Sequence, residues 1–204
     1  MKKLICTMKK SFKAATLVFV FGGCLLSASP LGFSAEAATT STPSKPSVTV
    51  LGKDWKKIES KQGKCSMSFP GSAEHVSEKM KLDEEGTELQ YDAYIAASDP
   101  ETVFMLLVAL YPDFVDEEFA QMSLEAFLNG ILTHGSGAQL LFADLVLVQG
   151  HEGMDFFIRT GANYFKGRAL MVKNQLYLMA MECKVSDYDE KHYEKFVSSF
   201  LLNK

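Results

Sequence analysis

Residues 102–111, TVFMLLVALY, are almost wholly apolar and lie between Pro100 and Pro112. Ten residues are too few to cross a bilayer, which takes about 20 in a helix. Proline at both ends keeps the run from belonging to a longer regular element. Such a segment fits a central buried strand.

The flanking pattern agrees. Over residues 64–70, KCSMSFP, Cys65, Met67 and Phe69 share one face and serines the other, a half-buried strand stopped by proline. Residues 75–82 and 88–96 alternate on either side of Asp83-Glu84-Glu85-Gly86 and predict a hairpin. Residues 116–133 switch to three- and four-residue spacing, with Phe119, Met122, Leu124, Ala126, Phe127, Leu128 and Ile131 recurring as on an amphipathic helix. Asp116, Glu117 and Glu118 suit its first turn, and Gly135 and Gly137 suit its end. Strand signals resume over 139–149, 154–164, 166–172 and 176–185. A second helix follows over 187–201, capped by Ser186 or Asp187, with Tyr193, Phe196, Val197, Phe200 and Leu201 as its apolar stripe. The order strands, helix, strands, helix predicts an α+β class: a largely antiparallel sheet sandwiched with two main helices.

The N-terminus has the anatomy of an export signal: a basic region of Lys2, Lys3, Lys9, Lys10 and Lys13, then a mostly apolar run over 14–26. Small residues at Ala35 and Ala37 predict cleavage between Ala37 and Ala38, and Met8 offers a second start beside Met1. Two other readings compete. Val20-Phe21-Gly22-Gly23-Cys24 has the outline of a lipobox that would acylate Cys24, although Phe21 stands where Leu or Val is usual. An uncleaved apolar anchor over 14–33 is the other. Residues 1–37 are thus a signal, 38–47 a tether broken by Pro43 and Pro46, and 48–204 one domain. The expected location is the periplasm or cell envelope, with any membrane attachment through an anchor or lipid.

Five of the 21 basic residues and one of the 25 acidic ones precede Ala38, leaving the remainder a formal charge of −8. That field repels nucleic acid and anionic lipid and demotes both as partners. Cys65 and Cys183 are the cysteines that survive cleavage. An oxidising compartment allows a bridge between them, and two buried free thiols on separate strands fit the sequence as well.

The familiar chemistries lack their residues. Asp155 stands four residues after His151 where a zinc-protease helix needs histidine, and no histidine pair has metal-ligand spacing. Gly135-Ser136-Gly137 follows a helix, so it is no nucleophile elbow. Phosphate-cradling glycine motifs do not occur. No catalytic, metal or cofactor residue is assigned. Arg159, Tyr164, Lys166 and Arg168 bring aromatics and cations to an expected hairpin turn, a candidate docking spot in an acidic domain.

The order of elements, with GKCSMSFP, VLVQGHEGMDFF and YFKGRALMVKNQLYLMA in sequence, resembles the α/β/α sandwich shared by the photosystem PsbP proteins and the bacterial envelope lipoprotein DcrB. The likeness spans residues 55–204. It implies a non-enzymatic accessory or assembly role, and no family functional residue transfers to a position here. The expected function is therefore a non-enzymatic envelope domain that binds a protein partner. The alternatives are a carrier or sensor of a small apolar ligand held among Phe104, Met105, Phe127, Phe156 and Phe157, and an enzyme without a recognisable motif.

Overall fold

A computed structural model describes residues 54–81, 88–113, 115, 117–135 and 137–203. The signal, its cleavage site at Ala37 and Ala38, the lipobox-like Cys24, the tether, the start of the domain and the 83–86 hairpin tip lie outside those residues.

The strands are β1 (Trp55–Ser60), β2 (Cys65–Pro70), β3 (Glu74–Lys81), β4 (Glu88–Asp99) and β5 (Thr102–Leu110), followed by helix α1 (Ala120–His134). Next come β6 (Ala138–Val148), β7 (His151–Thr160), β8 (Asn163–Val172), β9 (Gln175–Lys184), helix α2 (Glu190–Ser198) and β10 (Leu201–Leu202). Among the described residues, seven strands pair in the order β3-β4-β5-β9-β8-β7-β6, every neighbouring pair antiparallel. A smaller sheet runs β1-β2-β10. The chain builds β3 to β5, travels through α1 to the far edge at β6, and returns as a meander that seats β9 against β5.

This central position explains the apolar run of β5. Phe104, Leu106 and Val108 pack on one side with Cys65, Met67, Phe69 and Phe196. Met105, Leu107 and Ala109 pack on the other with Leu124, Phe127, Leu128 and Ile131. Alternating side chains thus find cover on both faces: α1 on one, α2 and the small sheet on the other. The fold is the antiparallel α+β sandwich that the sequence predicts.

Several boundaries differ. Phe119 precedes α1 in a 3-10 turn and is 48% exposed, while Met122 is 61% exposed. Two residues from both Ala120 and Leu124, Met122 stands about 200° round the helix from each. In α2, the N-cap is Asp189, whose side chain accepts from the Lys191 amide. The helix ends early, and Leu201 and Leu202 pair with Ser66 and Cys65 as β10. The largest correction is at β7–β8. The turn is Gly161 and Ala162, with φ +61° at Gly161, so Tyr164 to Arg168 lie inside β8 rather than at a hairpin tip. Gly167, which looks like a turn residue, is instead the strand position that makes room for the Phe156 ring.

Candidate protein-binding edge

The expected docking quartet does not form an open cationic patch. Lys166 is buried, its Nζ donating at 2.6 and 2.8 Å to the two oxygens of Glu190 and at 3.0 Å to the Tyr188 hydroxyl. The rings of Phe142, Phe157, Tyr188 and Tyr193 surround that ammonium at 4.6–5.8 Å from their centroids. Three strands, Tyr188 just before α2 and α2 itself therefore meet at one internal cation. Burial raises the Glu190 carboxyl, but the Lys166 ammonium and Tyr188 hydroxyl outweigh it and hold the group below its ordinary value.

Arg168 is likewise engaged, donating through Nε and one terminal nitrogen to both Asp155 oxygens at 2.5 and 2.7 Å. Tyr164 packs on Phe157 and Tyr188. Only Arg159 of the four is exposed, and its Nε donates to the Gly161 carbonyl at 3.1 Å. The strand register is the reason: a residue inside β8 points at a covering layer, whereas a residue at a hairpin tip points at water.

The apolar quintet is also divided. Phe104 lies on the α2 side, while Met105, Phe127 and Phe156 lie on the α1 side. Phe157 stacks on Tyr188. Neighbours along a strand face opposite ways, so these side chains cannot line one ligand cavity.

Cys65 and Cys183 are both free and buried; the bridge is not formed. Cys65 heads β2, close to Tyr177, whose hydroxyl donates to the Gly63 carbonyl at 2.7 Å. Cys183 lies six residues beyond Tyr177 on β9, about 20 Å at strand rise, far outside disulfide range. Burial pushes the thiols up to about 12 and about 11, and nearby carboxylates, chiefly Asp187, also raise Cys183. Both stay protonated and inert as nucleophiles.

Strand pairing between β3 and β4 brings together two residues that no sequence motif links. His75 Nε2 lies 3.0 Å from Oδ1 of the buried Asp92, and its ring stacks on Tyr94 at 4.4 Å. The carboxylate only accepts, so Nε2 carries the proton. This is the orienting half of an acid–base triad. Among the described residues no serine, threonine or cysteine is hydrogen-bonded to the imidazole, so the pair ties β3 to β4 and lacks a nucleophile. Nor do the described residues bring three His, Cys, Asp or Glu side chains to one metal-binding cluster.

Glu182 is the other unusual carboxyl. Set between Val103 and Phe165 on the flanking strands, it accepts from Asn163 Nδ2 at 3.1 Å. Burial pushes it up to about 7 against the lowering effect of that hydrogen bond. A carboxyl raised in the folded state binds its proton longer than in the unfolded chain. Stability therefore falls as pH rises from about 4.5 to about 7 and stays reduced above. Glu182→Gln keeps the acceptor and removes the charge. Thermal melts should show it more stable than the parent by about 1–2 kcal/mol at pH 8. At pH 4 the two should coincide, and an unchanged melting point at pH 8 would refute the assignment.

The feature that stands out is β6. It ends the large sheet, and beyond it no described strand pairs. Over 11 residues, AQLLFADLVLV, it exposes Leu140, Leu141, Phe142, Leu145 and Leu147, the last at 75%. Its one charge is Asp144. The opposite edge, β3, reads EHVSEKMK and carries charges along its length. Charged residues protect a sheet edge from pairing with other chains, and a long apolar edge invites it. Its nearly continuous apolar residues mark β6 as a strand in the sequence. They do not show that it is an edge, because order in the sheet is a property of the tertiary fold.

No family model matches the chain, and no curated protein matches it. Among solved structures, the chain is similar to the solution structure of cyanobacterial PsbP (CyanoP) from Synechocystis sp. PCC 6803. The TM-score is 0.53 at 12% identity, covering 78% of this chain and 98% of that one. A Bacteroides thetaiotaomicron protein gives a TM-score of 0.35 at 13% identity, over 73% of this chain and 48% of that one. PA94, a Pseudomonas aeruginosa protein of unknown function, gives 0.36 at 10% identity, over 65% and 85%. The first of these supports a PsbP-like fold. No described helix is long and apolar enough to cross a membrane.

Proposed function

We propose that this is a non-enzymatic accessory domain, exported to the cell envelope, that binds another polypeptide. The observation that carries the reading is the unguarded apolar edge of β6, beside a β3 edge protected by charge. A long exposed apolar edge strand is costly to keep unless a partner uses it. The fold is similar to that of cyanobacterial PsbP, and the sequence resemblance to the PsbP proteins implies an accessory role. Export rests on the basic and apolar N-terminal anatomy.

A photo-reactive amino acid placed at Leu147, with Val76 on β3 as control, tests the binding reading in the native cells. Covalent adducts with a second protein at position 147, and none at 76, are the expected result. Absence of protein adducts at 147 would overturn it. N-terminal sequencing of the envelope fraction, with Ala38 expected first, tests export on the same sample.

A further inference from the structure

The chemistry of β6 narrows the partner, taking its reading as a binding edge as the starting point. The register places Asp144, Asp155 and Arg168 side by side across β6, β7 and β8 on one face. Arg168 spends its fork on Asp155. Asp144 is left exposed, opposite a second carboxylate, with no cation paired to it among the described residues. Like charges directly opposite one another destabilise a sheet, and an opposite charge on the next strand relieves them. Along the same face Asp144 is flanked by Phe142 and Val146, and on the other face lie Leu145 and Leu147.

We propose that β6 is extended by one added strand from a different protein, apolar on both faces, with a lysine or arginine set opposite Asp144. Its backbone would satisfy the free edge of β6, its apolar side chains would cover the exposed leucines, and its cation would complete the row Arg168–Asp155–Asp144. A second copy of this chain fits poorly. Residues 138–148 contain no lysine or arginine, so self-pairing sets Asp144 against itself or an uncharged residue. Two chains that each carry a charge of −8 from Ala38 onward would also repel.

The test uses the full chain and two synthetic peptides whose valines and isoleucines line both faces of the strand, one with a central lysine and one with glutamate there. Backbone amide shifts followed by NMR should move in β6 and not in β3. The lysine peptide should bind about fivefold tighter than the glutamate peptide, and Asp144→Lys should invert that preference. Equal affinities, shifts centred on β3, or no binding by either peptide would overturn the proposal. So would a light-scattering dimer that Leu147→Lys abolishes, since it would put a second copy on the edge. If neither peptide binds while position 147 still cross-links to another protein in cells, strand addition fails and the protein-binding reading stands. If both are silent, both fail.

Discussion

Replacing Gly167 by alanine should destabilise the domain by about 3 kcal/mol. A Cβ built at this position comes 2.4 Å from Phe156 Cζ and 3.0 and 3.1 Å from the adjoining ring carbons. Phe156 has little freedom to retreat: it is fully buried, with Phe127 and Phe165 ring centroids 6.2 and 5.6 Å away. Overpacking of this kind forces either an off-rotamer ring or a displaced strand. Urea unfolding measures the loss. Combining Gly167→Ala with Phe156→Leu should relieve the clash, so the double variant should lose at least about 1 kcal/mol less than the two single losses added together. Strictly additive losses, or a Gly167→Ala cost under about half a kcal/mol, would mean that the ring does not rest on the glycine.

The second large effect is an asymmetry at the caged ammonium. Glu190→Ala removes the carboxylate and leaves a cation whose side chain is only 11% exposed, whereas the Glu190 side chain is 46% exposed. An uncompensated buried charge is costly, so this variant should lose about 3 kcal/mol. Lys166→Met leaves Glu190 free to rehydrate and lays a thioether among the rings. Its loss should be about 1 kcal/mol or less. Equal losses, or the reverse order, in parallel denaturant titrations would show that the cation is not held as described. The pH response has a definite sign. Glu190 is lowered in the folded state, so its stabilisation is present above the ordinary carboxylate value of 4.5 and is lost as pH falls through the lower folded value. Glu190→Ala should therefore flatten the acid limb of the stability profile, while Glu182 governs the window between about 4.5 and 7.

Local pattern determined much of this protein. The alternation in β2, β3 and β4, the apolar β5 and the helical spacing of α1 each follow from side-chain periodicity, which the backbone geometry imposes residue by residue. From those elements and their order came the α+β class and the central place of β5. What each side chain meets was not decided locally. Gly167 reads as a turn in sequence and serves as space for a ring one strand away. Lys166 reads as a surface cation and is enclosed by residues 24 positions before and up to 27 after it. Met122 matches a helical spacing and faces water. Cys65 and Cys183 lie in one core and stay unbonded because the long axis of β9 separates them. Only the tertiary structure decided that β6 ends the sheet and that Asp144 faces Asp155, because strand neighbours are set by the crossover through α1 and by β9 closing on β5. Periodicity tells a strand which side to bury; the path of the whole chain chooses which strand is left with an open edge.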